Sequence, residues 1–235
     1  MNWRSVAMIL WTLVWTMIGL TVLAIDWSGR LYMTLARIGW APQVLGLAGV
    51  KLKVVGVENL EPGKHYIICC NHASQVDIPV IVAALPLNER FLAKRSLFYI
   101  PLFGWSMAIA RFIPVDRGSS RKSRRSIEVA SEKIRKGPSV VIFPEGTRTP
   151  DGELKAFKSG AFVMGVKSGV SILPVALRGT FDVVPKSTIR VTPGPVDVIV
   201  GKPIVTEGMA MKDKESVRLR CREVIARMIE TGEPA

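Results

Sequence analysis

The chain has 235 residues, enough to bury one sizeable core, and 49% of them are hydrophobic, which is high for a soluble protein. Lys and Arg number 32 against 19 Asp and Glu, and the formal charge of +13 favours polyanionic partners: anionic lipid surfaces, phosphorylated substrates, acidic proteins or nucleic acid. Cys69, Cys70 and Cys221, with His65 and His72, make no C-x-x-C or H-E-x-x-H pattern, so neither a disulfide framework nor a metal site is expected, and a reducing compartment fits best.

In chain order, the first element is apolar. No residue from Ser5 to Ile25 is charged. A helix over that run is about 30 Å long, enough to cross a hydrocarbon core. Trp3, Trp11, Trp15 and Trp27 supply interfacial anchors. The run exceeds a signal-peptide core, and no small-x-small site precedes Asp26, which argues against cleavage. Past Asp26, Arg30, Thr34 and Arg37 share a helical stripe with Leu31, Leu35 and Ile38 beside it, the pattern of an amphipathic interfacial helix. Residues 1–48 therefore read as a membrane-anchoring two-helix segment. Either the first helix spans the bilayer or both lie as a hairpin in one leaflet. The remainder is expected on the cytoplasmic face of the cell membrane.

Residues 49–235 read as one domain in which strands alternate with helices. Strands are predicted at Leu52–Val57, Tyr66–Cys70, Phe91–Lys94, Phe112–Val115, Val140–Phe143, Ile172–Ala176, Ile189–Val191 and Val196–Val200. Helices are predicted near 78–85, 97–109, 120–136 and 160–168. A last one carries Val217, Cys221, Val224, Ile225 and Met228 on one face and stops before Gly232 and Pro234. The alternation predicts an α/β sheet layered by helices.

The segment Asn71-His72-Ala73-Ser74-Gln75-Val76-Asp77 joins an apolar strand to an apolar helix. In a continuous helix, His72 and Asp77 would be about 140° apart, so they meet only if the chain bends, and Asn71 and Ser74 favour a bend. Asp77 then accepts a hydrogen bond from one imidazole nitrogen and frees the other as a base. The rival reading makes Asp77 a helix N-cap before Ile78-Pro79 and His72 an ordinary loop residue. There is no G-x-S-x-G elbow, and Cys69 and Cys70 read as buried strand. A base without an attached nucleophile implies a substrate that brings its own hydroxyl.

Phe143-Pro144-Glu145-Gly146-Thr147-Arg148 leaves a strand for a turn. Gly146 lets backbone N–H groups face a ligand, and Arg148 offers a planar fork for phosphate oxygens; the alternative is a surface loop continuing into Thr149-Pro150-Asp151-Gly152. Arg117 follows another short strand, beside Asp116. Lys158 precedes a helix that begins near Ser159. Arg121, Lys122, Arg124 and Arg125 form a basic cluster without interleaved aromatics, which suits anionic headgroups or an acidic carrier better than nucleic acid.

Together these segments resemble the blocks of the 1-acylglycerol-3-phosphate (lysophosphatidic acid) acyltransferase family, from about Val54 to Ile204. Asn71-His72 with Asp77 resembles its N-H-x-x-x-x-D block. Phe112-Ile113 through Arg117 resembles the second, with Pro114 and Val115 making the spacing wider than usual. Phe143 to Arg148 matches the third, and Ile172-Leu173-Pro174-Val175 resembles the fourth. The resemblance implies His72 as general base oriented by Asp77, and Arg148 on the acceptor phosphate. It implies Glu145, Gly146 and Thr147 around the glycerol, with Arg117 and Lys94 assisting. It also implies a mixed, largely parallel sheet flanked by helices, with an apolar tunnel for the acyl chain. The donor would be acyl-CoA or acyl-carrier protein, the acceptor lysophosphatidic acid and the product phosphatidic acid, with no cofactor. Glycerol 3-phosphate or a lyso-aminolipid remains as an alternative acceptor, and a non-catalytic basic membrane tether as the reading outside enzymology.

Overall fold

The computed structural model describes residues 2–22, 25–116, 127–128, 130–132, 134–135 and 137–235. Arg117 and the cluster Arg121, Lys122, Arg124 and Arg125 lie outside these residues. Seven strands form one sheet: β1 Val50–Val55, β2 Ile67–Cys70, β3 Glu89–Lys94, β4 Ile113–Val115, β5 Ser139–Ile142, β6 Ile172–Arg178 and β7 Gly194–Val200. Their order is β1-β7-β6-β2-β5-β3-β4. The five strands from β6 to β4 are mutually parallel, while β7, with β1 parallel to it, meets β6 antiparallel. This is the expected mixed, largely parallel sheet.

Strands buried on both faces need continuous apolar sequence rather than alternation, which is what Ile67–Cys70 supplies. Successive side chains go to opposite cores. Ile68 and Cys70 pack on the side of the N-terminal helices. Ile67 and Cys69 pack toward the helix Gly160–Ser168 and the C-terminal helix Lys214–Thr231. The latter buries Val217, Cys221, Ile225 and Met228, the face its spacing predicts, and ends at Gly232 with φ of 76°.

Three N-terminal helices cover the first core: α1 Trp3–Val22, α2 Arg30–Leu35 and α3 Ala41–Ala48. The amphipathic helix starts at Arg30 and continues through a π-helical turn, Ala36–Trp40, into α3. Pro42 lacks an N–H for the α-helical ladder, and the widened turn accommodates that loss. Met33, Ala36, Ala41, Leu45 and Ala48 join Ile68 and Val175 in one core, so this segment is packed against the sheet. α1 is tied along its whole length. The Asn2 Nδ2 donates to the Val191 carbonyl at 2.7 Å, Arg4 Nη1 to the Leu47 carbonyl at 2.7 Å and Trp11 Nε1 to Gln43 Oε1 at 2.8 Å. Near its end Gly19 lies against the Tyr32 ring, where any Cβ would approach to 2.5 Å. The opposite face, Trp3, Val6, Leu10, Leu13 and Met17, is exposed.

Two predicted elements differ. Ile189–Val191 is not a strand, because the Ile189 and Val191 carbonyls accept from Ser5 Oγ and Asn2 Nδ2 instead of from a neighbouring strand. The helix predicted near 97–109 divides into a 3-10 turn, Arg95–Tyr99, and a helix Phe103–Ile109, interrupted at Pro101.

Glu89, at the start of β3, is fully buried and pairs with Arg37 Nη2 at 2.8 Å, joining the N-terminal segment to the sheet. Burial pushes the Glu89 carboxyl up to about 7, against the pull of Arg37. A raised carboxyl pKa means that the folded state holds a proton the unfolded state releases, so stability falls as pH rises through that interval. Arg37→Ala removes the cation that pairs with this carboxylate. The variant is expected to be destabilised more at about pH 8 than at about pH 5, by roughly 3–5 kcal/mol where Glu89 is ionised. Denaturant unfolding at both pH values measures this, and an equal loss at both would contradict it.

Candidate active site

The site forms where β2 and β5 end. The chain bends after Cys70, and α4, Asp77–Ala84, begins at the carboxylate itself. Asp77 Oδ2 lies 2.7 Å from His72 Nδ1 and accepts the backbone N–H groups of Ala73 and Ser74, each at 2.9 Å. The carboxylate thus bonds backward into the bend, and no side chain caps the N-terminus of α4. This arrangement excludes the N-cap reading and brings the five-residue pair together. With Nδ1 donating to Asp77, the lone pair of Nε2 is left for a substrate proton. Asp77 is completely buried, and the His72 side chain retains 18% of its exposure, so the histidine alone is open to a ligand.

Neighbouring elements hold the bend. The Asn71 side chain accepts from Leu177 N at 2.8 Å and donates to its carbonyl at 2.9 Å, extending β6 through a side chain. Ser74 Oγ donates to the Val184 carbonyl at 2.8 Å. The imidazole stacks on Phe143, with ring centroids 4.0 Å apart and planes 17° from parallel. Phe143 belongs to the strand end that delivers Glu145–Arg148, so one contact sets the histidine against the second motif.

Glu145 completes that junction. Its Oε1 accepts His72 N at 2.7 Å and its Oε2 accepts Lys155 N at 3.3 Å. Burial raises the Glu145 pKa above the ordinary carboxyl value, while those two N–H groups pull it down. Thr149 N donates to the His72 carbonyl at 2.9 Å, so both ends of the turn bond to the histidine backbone. Glu145 therefore braces the site from within.

Gly146 has φ of 77°, the left-handed region that favours glycine. A Cβ there would come within 2.8 Å of Lys158 Nζ, so the lysine ammonium lies over this turn. Lys186 Nζ is 3.4 Å from Thr147 Oγ1. The half-buried Arg148 has its Nη1 buried with no hydrogen-bond partner. A buried N–H without an acceptor costs about 1–3 kcal/mol, which an oxyanion would offset. Three cations thus converge on residues 146–148. In the sequence Lys158 is marked only as preceding a helix, and Lys186 carries no signal at all, since its approach depends on the loop after Val184. Lys94 is exposed at the C-terminal end of β3, and its side chain makes no hydrogen bond or ion pair with a described residue. The placement of Phe91 opposite Val141 puts it at the same sheet edge as Pro144.

Cys69 and Cys70 are fully buried. A side-chain hydrogen bond with the free Cys221 pushes the Cys69 thiol upward and burial pushes the Cys70 thiol upward, away from a reactive thiolate. Among the described residues no group of three or more His, Cys, Asp or Glu is arranged to hold a metal ion.

Fold and site define a three-layer α/β domain in which a carboxylate-held histidine shares one sheet edge with an arginine-bearing turn. The chain belongs to the acyltransferase family, whose model matches residues 51–178. It is 36% identical over 156 residues to the chloroplastic 1-acyl-sn-glycerol-3-phosphate acyltransferase of Arabidopsis thaliana, covering 66% of this chain and 44% of that protein. It is 33% identical over 187 residues to the 1-acyl-sn-glycerol-3-phosphate acyltransferase of Borreliella burgdorferi, covering 80% and 75%. The crystal structure of the 1-acyl-sn-glycerophosphate (LPA) acyltransferase PlsC from Thermotoga maritima matches with a TM-score of 0.75 and 26% identity, over 97% of this chain and 96% of that one. The chain spans less than half the length of the chloroplast relatives from Arabidopsis thaliana and Brassica napus, 44% and 45%.

Proposed function

We propose that the protein transfers a fatty acyl group from an acyl thioester, acyl-CoA or acyl-carrier protein, to the free hydroxyl of 1-acylglycerol 3-phosphate, giving phosphatidic acid. The observation that carries this reading is the contact of His72 with Asp77 beside a turn on which Arg148, Lys158 and Lys186 converge. His72 Nε2 takes the proton of the acceptor hydroxyl as its oxygen attacks the thioester carbonyl carbon. The tetrahedral adduct collapses with loss of the C–S bond, and the imidazolium returns the proton to the departing thiolate. Asp77 stabilises the imidazolium without taking its proton. General-base assistance contributes about 10²–10⁴-fold, so the phosphate contacts must supply much of the rest by positioning. Arg148 with its unpartnered Nη1 is the acceptor-phosphate ligand, and Glu145, Gly146 and Thr147 shape the glycerol pocket. The relatives named above act on 1-acylglycerol phosphates, which favours that acceptor over a lyso-aminolipid.

The same reading includes a membrane-embedded position. α1 has a mean hydropathy of 1.9 over a helix of 20 residues, but its ties to Val191, Leu47 and Gln43 hold it flat against the domain. This supports immersion in one leaflet, with residues 1–48 as the anchor and residues 49–235 carrying the chemistry. The free, buried cysteines support the cytoplasmic leaflet.

His72→Ala is expected to lose transfer by at least about 10²-fold while remaining folded. Activity retained in the purified variant would remove His72 from the mechanism. Arg148→Ala is expected to raise KM for 1-acylglycerol 3-phosphate by about tenfold or more and to leave KM for the thioester nearly unchanged. A panel with 1-acylglycerol 3-phosphate, glycerol 3-phosphate and a lyso-aminolipid, each with both thioesters, reads acceptor and donor together. For the anchor, Leu10 and Met17 are 57% and 55% exposed on the outward face of α1. Leu10→Lys with Met17→Lys is expected to shift the protein from the membrane pellet to the supernatant without lowering its unfolding midpoint. Undiminished pelleting would place the anchor elsewhere.

A further inference from the structure

The chemistry proposed above uses the C-terminal ends of the parallel strands. A cavity of about 500 Å³ opens at their other ends. It is lined by Arg30 from the start of α2, Arg90 from β3, Arg111 from the turn before β4 and Asn88, over an apolar floor that includes Ile113 and Val140. None of the described residues lining it is acidic. Arg90 sits opposite Val140 in the sheet, whereas Glu145 follows the end of β5, roughly 15 Å further along the chain direction. The cavity and the His72 site are therefore separate.

Two of the three guanidinium groups, those of Arg90 and Arg111, are held in place. Arg90 is 3% exposed; its Nη1 donates to Asn88 Oδ1 at 2.9 Å and to the Glu89 carbonyl at 2.7 Å, and its Nη2 to the Ser28 carbonyl at 3.1 Å. Arg111 Nε donates to the Trp27 carbonyl at 2.8 Å, and its backbone sits at φ of 57°, a left-handed conformation uncommon for arginine. Gly29, at φ of 69°, lets the turn press against the preceding helix, since a Cβ would meet the Ile109 carbonyl at 2.7 Å. Burial and the nearby charges of Arg30 and Arg111 lower the Arg90 pKa, while Glu89 and Asp26 oppose them. Both carboxylates are engaged elsewhere. Asp26 accepts Ser28 N, Ser28 Oγ and Tyr32 N, and Glu89 pairs with Arg37. Among the described residues, three guanidinium groups against Asp26, which bonds to N–H and O–H groups but to no cation, leave a local excess near +2, which suits a phosphate oxyanion.

The rim says where that phosphate comes from. Ile25 and Trp27, beside Ser28 and just past the end of α1, are 76% and 77% exposed. A tryptophan at this position sits at headgroup level when the helix is immersed. We infer that the arginine cavity binds the phosphate of an anionic membrane phospholipid, a second lipid site distinct from the acceptor site at Arg148. A bound headgroup would orient the protein on the leaflet while the catalytic edge exchanges substrate and product.

The test uses the full chain and flotation with vesicles of phosphatidylcholine, alone or mixed with phosphatidylglycerol, alongside calorimetric titration with inorganic phosphate. Arg30 is exposed and its side chain makes no hydrogen bond to another described residue, so Arg30→Gln tests the site with little risk to the fold. Arg111→Gln is the second variant, and Arg220→Gln, an exposed position on the C-terminal helix, removes the same charge far from the cavity. Each cavity variant is expected to weaken binding to phosphatidylglycerol vesicles about fivefold, with binding to phosphatidylcholine alone unchanged. An equal loss from Arg220→Gln would overturn the site in favour of diffuse charge. Saturable binding of inorganic phosphate that Arg30→Gln abolishes, with vesicle binding intact, would overturn the lipid assignment in favour of a free anion. Undiminished binding by Arg30→Gln in both assays would remove the site.

Discussion

The rest of the site depends on a single buried oxygen. Asp77 Oδ2 gathers the imidazole of His72 and the N–H groups of Ala73 and Ser74, closing a bend that a continuous helix would forbid. Those donors compensate a carboxylate with no exposure, which would otherwise be costly to bury. The bend, the charge and the ring orientation are consequently one feature. Removing any one of these contacts loosens the others, because each uses the same acceptor. The second motif depends on this bend as well: Glu145 bonds to the His72 backbone, and Phe143 covers its ring.

The N-terminal segment illustrates how a membrane surface and a protein core can be made from the same helices. α1 turns Ser5, Thr16 and Gly19 inward and Leu10, Leu13 and Met17 outward, so its apolar face is the one left unburied by the fold. That inversion is unfavourable in water and favourable in lipid. The polar side chains on the inner face bond to carbonyls of the loop at residues 189–191 and to Gln43, which a spanning helix could not do along its length.

Much of this was legible in the sequence because the responsible physics is local. Uninterrupted apolar runs such as Ile67–Cys70 specify doubly covered strands, and the spacing of Val217, Cys221, Ile225 and Met228 specifies one helical face. The site residues at 72, 77 and 145–148 lie in two short segments whose turn chemistry is readable. What escaped was set by partners distant in the chain. Ile189–Val191 has strand composition, yet its carbonyls are taken by Asn2 and Ser5, nearly two hundred residues earlier. Lys186 reaches Thr147 across 39 residues, and nothing in its local pattern signals an approach to the phosphate turn. Arg90 stands just before the predicted strand Phe91–Lys94 with no local signal of burial, yet it is buried and bonded to the Ser28 carbonyl 62 residues earlier.

The positive charge of the chain is thereby resolved into parts with different physics. Around Gly146, the cations are two lysine ammonium groups and a half-buried guanidinium, which on the proposed function admit and release an anion each turnover. At the opposite strand ends, guanidinium groups are fixed by backbone carbonyls of Trp27, Ser28 and Glu89, a geometry better suited to a ligand that stays. Lysine-rich turns exchange and arginine-framed cavities hold, because the guanidinium fork is pre-organised and loses less freedom per bond formed. A protein lying in a leaflet needs both behaviours. On the proposed function, its substrate and product pass through one site, while its depth and tilt stay constant enough for His72 to meet a hydroxyl that cannot leave the headgroup plane.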